Sequence, residues 1–157
     1  MEETRAIAKE FLNTIEPGEK AVTVALQGDL GAAKTAFTQA VGAELGISEN
    51  MQSPTFVIMK VYDLEPTTNN QQPTSAGGSD SRSSVVSRWS KFFHIDAYRL
   101  ESSDELLRLG WGEITKEPEN LVFIEWPENV ASIIPADARK ISLEFVDETT
   151  REIKFES

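Results

Sequence analysis

Residues 28–35 read G-D-L-G-A-A-K-T. Gly28, Lys34 and Thr35 keep the spacing of the phosphate-binding pattern G-x-x-x-x-G-K-[ST], and Ala33 stands where that pattern places its second glycine. In such a loop a lysine sets a point charge on the terminal phosphates, and the hydroxyl after it serves a magnesium ion. The segment lies between an apolar run, Val22 to Leu26, and a helix-like stretch from Thr35 onward. That strand-loop-helix setting is what the motif requires, because amides at a helix N-terminus point at an anion and the helix dipole favours negative charge there. The expected ligand is a nucleotide polyphosphate.

Ala33 carries a physical consequence. Glycine serves at this place because the backbone approaches the phosphates closely and takes a positive φ. An alanine in the left-handed region costs roughly 1 kcal/mol or more. A methyl group pointing at the phosphate adds to that cost, and nucleotide affinity is expected to fall about one to two decades below that of Ala33→Gly, at ~1.4 kcal/mol per decade.

A magnesium site beside such a loop is completed by a carboxylate at the end of a neighbouring buried strand. Two residues qualify: Asp96, after F-F-H-I, and Glu125, after L-V-F-I. Thr55, in the stiff turn Ser53-Pro54-Thr55, is a candidate for a second hydroxyl at the metal or for orienting the attacking water. As a turn residue it would instead bond its own backbone. His94 shares a strand face with Asp96, two residues on, and reads first as a structural histidine. Arg99 is open between bridging a phosphate and pairing with a carboxylate. Trp126 reads by default as packing.

The elements that must hold these residues follow from periodicity. Glu2 to Thr14 shows a helical face of Ile7, Ala8, Phe11 and Leu12, closed by Pro17 and Gly18. Ala21 to Gln27 reads as a buried parallel strand. Thr35 to Leu45 is a helix with Phe37, Ala40, Val41 and Leu45 toward the sheet, stopped at Gly46. Phe56 to Leu64 and Trp89 to Ile95 are expected as an antiparallel pair, Ser103 to Leu109 as a short helix capped by Ser102 or Ser103, and Leu121 to Trp126 as another buried strand. Arg139 to Val146 and Arg151 to Phe155 form a closing hairpin around Asp147 to Thr150. Between the first antiparallel pair, residues 65–88 are almost wholly polar, too poor in apolar surface to offset their ordering entropy, and are expected as a disordered insertion. The fold class is α/β: one three-layer domain over 1–157 with a mixed β-sheet and a C-terminal β-hairpin.

Composition narrows the function. There is no cysteine and a single histidine, which excludes disulfides, thiol catalysis and a histidine metal cluster. The formal charge of −11 repels phosphate backbones, so DNA is excluded as a partner and any RNA must be gripped by another protein. No apolar run approaches the ~18 residues of a membrane span, and a cytoplasmic location is expected.

Taken in order, G-D-L-G-A-x-K-T, S-P-T-F, H-I-D-A-Y-R-L, L-x-x-L-G and I-E-W-P-E resemble the TsaE (YjeE) family, from the first helix to about Val130. That family supplies the ATPase subunit of the bacterial machinery that makes N6-threonylcarbamoyladenosine in tRNA. The resemblance implies a P-loop NTPase-like fold with ATP and Mg2+ as ligands. It implies a phosphate cradle of Gly28, Gly31, Ala32, Ala33, Lys34, Thr35 and Ala36. Thr35 and Glu125 would bind magnesium and Asp96 would position metal or water. Thr55 would sense the γ-phosphate, and Thr4 and Trp126 would lie near the nucleotide. The implied partners are TsaD-like and TsaB-like subunits, with tRNA met only through them. A short N-terminal strand common in that family is expected to be absent or reduced here. Two other readings stay open: a nucleotide-poor scaffold, on the strength of Ala33, and a small-molecule kinase, for which the polar segment offers only Arg82 and Arg88.

Overall fold

The computed structural model describes residues 2–29, 32–47, 51, 57–64 and 88–156. The elements run α1 (Glu2–Leu12), β1 (Val22–Gln27), α2 (Lys34–Glu44), β2 (Met59–Asp63), β3 (Lys91–Asp96), α3 (Ser103–Arg108) and α4 (Trp111–Lys116). They continue with β4 (Asn120–Glu125), a 3-10 segment (Pro127–Ile133), β5 (Arg139–Asp147) and β6 (Thr150–Glu156). The expected strand over Phe56 to Leu64 is thus shorter within the described residues, while Ser53, Pro54 and Thr55 lie outside them, as does the polar segment up to residue 87. Arg88, its last residue, donates from Nη1 to the carbonyl of Ile15.

The strands form one sheet in the order β2-β3-β4-β1-β5-β6. The four inner strands are parallel, and β2 and β6 add antiparallel edges. Parallel strands need cover on both faces, and the sequence supplies it by strict alternation. Val24, Leu26, Leu121, Phe123 and Phe92 pack beneath α1 and α2 with Phe11, Phe37 and Val41. Ala25, Val122, Ile124, Phe93 and Ile95 pack on the other face with Leu106, Trp111 and Val130. The result is three layers. On the first face the Phe92 and Phe123 rings meet edge to face at 5.3 Å, and Phe11 reaches Phe123 at 6.3 Å. Such pairs contribute about 0.5–1.5 kcal/mol each beyond their burial.

Short elements departed most from the periodicity reading. The helix α4 and the 3-10 segment escape it, since six or seven residues hold too few turns to show a repeat; Gly110 at φ 99° opens the former and Pro127 the latter. The helix α1 ends at Leu12 rather than Thr14, and α3 starts after Ser102, whose side chain makes no cap bond. Gly46 closes α2 as expected. At φ 90° it donates to the carbonyl of Ala43 while Ile47 donates to that of Gly42, the paired bonds of a Schellman motif. The closing hairpin forms with Asp147 accepting from both the amide and the hydroxyl of Thr149.

Parallel pairing has one consequence for function. The C-terminal ends of β1, β3 and β4 lie on the same edge, so the segments after Gln27, Asp96 and Glu125 converge there.

Candidate functional site

The loop after β1 begins at Gly28, at φ 151°. A Cβ there would collide with the backbone carbonyl oxygen of Leu143 on β5, so only glycine lets β5 run alongside β1. Ala33 takes φ 76°, ψ 29°, the left-handed region that the glycine of the pattern would occupy freely. The first bond of α2 runs from the amide of Phe37 to the carbonyl of Ala33. The amides of Lys34, Thr35 and Ala36 therefore point off the helix N-terminus, the arrangement that receives anions. The amide of Ala32 is turned to the carbonyl of Asp29. Gly31 and Thr55 lie outside the described residues.

Lys34 is folded inward. Its Nζ donates to the carbonyls of Gly28 (2.5 Å) and Asp29 (3.1 Å) and lies 4.1 Å from the centroid of the Trp126 ring. Burial holds its pKa below the usual lysine value, against an opposing pull from Glu125, Glu128, Asp96 and Asp29. Trp126 itself is left-handed, φ 60°, and its ring meets that of Tyr98 at 5.0 Å.

Pairing register decides how the two candidate carboxylates sit. Asp96 and Glu125 are direct partners across β3 and β4, on the face covered by α2, and both are buried. Among the described contacts Glu125 meets the loop: Thr35 Oγ1 lies 3.1 and 3.2 Å from its two oxygens. Asp96 Oδ1 accepts the amide of Tyr98. A hydroxyl touching a carboxylate is the hard-oxygen set that suits magnesium, which takes one or two protein ligands and fills the rest with water and phosphate. Among the described residues no group of three or more His, Cys, Asp or Glu is placed to hold a metal ion.

The structure places two further residues that the sequence reading named. His94, read as structural, is buried with Nε2 at 2.7 Å from Glu125 Oε2. The only sequence signal was its place two residues before Asp96; its partner lies on another strand and needed the register. Thr4 stands in the first turn of α1, whose next residue, Arg5, pairs with Glu44 at 3.0 Å in the last turn of α2. Glu44 is about 15 Å along the helix from Lys34. The head of α1 thus sits with the far end of α2, away from Lys34, Thr35 and Glu125.

The family model "Threonylcarbamoyl adenosine biosynthesis protein TsaE" matches residues 1–75 and 79–153. The chain belongs to the TsaE family. It is 35% identical over 120 residues to the tRNA threonylcarbamoyladenosine biosynthesis protein TsaE of Borreliella burgdorferi, covering 76% of this chain and 69% of that one. It is 31% identical over 154 residues to the protein of the same name from Bacillus subtilis, covering 98% and 79%. The crystal structure of Bacillus subtilis YdiB superposes with a TM-score of 0.65 at 26% identity, over 98% of this chain and 78% of that one. These matches agree with the TsaE-type, P-loop NTPase-like fold that the motif order implies. No helix among the described residues is long and apolar enough to cross a membrane.

Proposed function

We propose that this protein is a Mg2+-dependent ATPase that supports threonylcarbamoylation of adenosine 37 in tRNA, together with TsaD-like and TsaB-like partners in the cytoplasm. The observation that carries the proposal is the contact of Thr35 with Glu125, residues 90 apart in sequence, at the mouth of the loop that holds Lys34. In this reading residues 1–157 act as one ATPase domain. Mg2+, held by Thr35 and Glu125, would neutralise charge on the phosphate oxygens.

The other groups act through position and charge. The amides of Lys34, Thr35 and Ala36 orient the β- and γ-phosphates at the N-terminus of α2, with Gly28, Gly31, Ala32 and Ala33 shaping the loop. Lys34 leaves its carbonyl partners to place its ammonium on the phosphates, where charge builds in the transition state. Asp96 orients the water that attacks the γ-phosphorus in line with the leaving oxygen of ADP, and the products are ADP and phosphate. Thr55 is assigned to sensing the γ-phosphate and Trp126 to the nucleotide edge. Thr4, at the head of α1 beside the Arg5–Glu44 pair, is assigned to the surroundings of the nucleotide away from the phosphate loop. None of these groups is a strongly basic acceptor, so the water's proton leaves on the phosphate product, which supports slow turnover by the chain alone.

The acidic charge of −11 supports a division of labour in which the partners grip tRNA. Phosphate release measured with and without the two partners tests the proposal, and stimulation is expected. Neither stimulation nor physical association would overturn it.

A further inference from the structure

Outside the loop, the residue least expected where it stands is His94. It lies in the apolar strand K-F-F-H-I-D, is wholly buried, and occupies a place where its face neighbours Phe92 and Phe123 are core residues. An imidazole there needs a polar partner, since a buried unpaired donor costs about 1–3 kcal/mol. Nε2 has one, Glu125 Oε2 at 2.7 Å, while Nδ1 has none. A carboxylate only accepts, so Nε2 must carry the proton. The ring's one hydrogen bond is therefore Nε2–H to Glu125 Oε2.

We infer that His94 is a positioning residue for Glu125, holding its Oε2 so that Oε1 is left to face the cation beside Thr35. This rests on reading the site as one for Mg2+ and nucleotide. The described contacts distinguish the two oxygens of Glu125. Thr35 Oγ1 lies at nearly equal distance from both, whereas His94 reaches Oε2 alone. The carboxylate of a glutamate otherwise turns freely about its last bond, a broad torsion with little barrier. A donor fixed on a sheet strand removes that freedom. Hydrogen-bond partners behind a metal ligand commonly contribute 10–100-fold to metal affinity, and His94 is placed to contribute in that way.

The chain holds one histidine, so a 15N-labelled sample shows a single imidazole. Its Nε2 is expected to carry a proton protected from exchange with solvent, and the signals should shift when Mg2+ and ADP are added together. An Nε2 without a proton overturns the inference, and this reading needs no variant. Two variants test the consequence by calorimetry with ADP, in Mg2+ and in chelator. His94→Phe, which fills the space without a donor, should lose about 10–100-fold of the Mg2+-dependent gain in ADP affinity while metal-free affinity stays near wild type. His94→Gln, which offers an amide N–H, should recover most of that gain. A full Mg2+ gain in His94→Phe overturns the positioning role, as does an equal loss with and without Mg2+. If the wild type itself shows no Mg2+ gain, the magnesium reading of the site fails, while the spectrum still reports the hydrogen bond.

Discussion

Lys34 is stacked on Trp126, with its Nζ 4.1 Å from the indole centroid, and each of the two is held there by a left-handed, non-glycine backbone. Ala33, at φ 76°, sets the entry of Lys34 into α2, and Trp126, at φ 60°, turns the chain back over the loop directly after Glu125. Residues in this region cost of order 1–3 kcal/mol each and persist where the surroundings over-determine them. Here the surroundings are the two strand ends, β1 and β4, that carry the loop and the metal-side carboxylate. The ammonium is thereby kept inside the site, bonded to its own loop.

That burial makes Lys34 a burden on the fold. Its pKa is lowered chiefly by burial, so between the folded value and the ordinary 10.5 the unfolded chain binds more protons. The penalty is present in full at neutral pH and is relieved as pH rises through the folded pKa. Lys34→Met should therefore unfold at the same or a higher temperature at pH 7, with the gap to wild type narrowing in alkali, while Mg-ATP binding is lost. Thermal unfolding at two pH values with calorimetry checks this; a clearly lower Tm at pH 7 would count against it.

Ala33→Gly should stabilise the protein. Removing the Cβ from a left-handed residue gains about 1 kcal/mol, or roughly 2–4 °C in Tm for a chain of this size. Nucleotide affinity should rise by about one to two decades in the same variant, as the loop pattern leads one to expect. Equal Mg-ATP affinity in the two versions, measured by calorimetry, would overturn that expectation.

Glu125→Gln keeps the size of the side chain and an oxygen that accepts from Thr35 or His94, but removes the charge. The fold should hold, with Tm within about 2 °C of wild type. The Mg2+-dependent part of nucleotide affinity should disappear, and phosphate release in the presence of the partners should fall about 100-fold or more. Asp96→Asn should spare more of the Mg2+ dependence, because Asp96 accepts from the Tyr98 amide and Glu125 is the carboxylate that meets Thr35. Equal loss of Mg2+ dependence in the two variants would show that the carboxylates share the metal.

The Trp126 ring should report the departure of Lys34. Trp89 and Trp111 are buried in the core on opposite faces of the sheet, while Trp126 is half-buried beside the loop. Adding Mg-ATP should change tryptophan emission in the wild type and leave Trp126→Phe nearly silent. An undiminished response in Trp126→Phe would place the change elsewhere.

Local pattern sufficed wherever neighbours in sequence are neighbours in space. The spacing of Gly28, Lys34 and Thr35 put the loop at a helix start, the apolar runs L-V-F-I-E and F-F-H-I-D marked buried strands ending in acids, and Asp147 to Thr150 marked the last turn. Those features depend on covalent spacing and backbone preference, which travel with the chain. What only the tertiary structure decided depends on register and close approach between strands. Parallel pairing set Asp96 against Glu125 and left Glu125 to meet Thr35. The same pairing turned His94 from a core residue into the partner of Glu125, and the nearness of β5 made Gly28 obligatory for packing. The antiparallel crossing of α1 and α2 carried Thr4 to the far end from the loop. No residue type or interval along the chain encodes a cross-strand distance, because that distance is set by how the two faces of the sheet are covered.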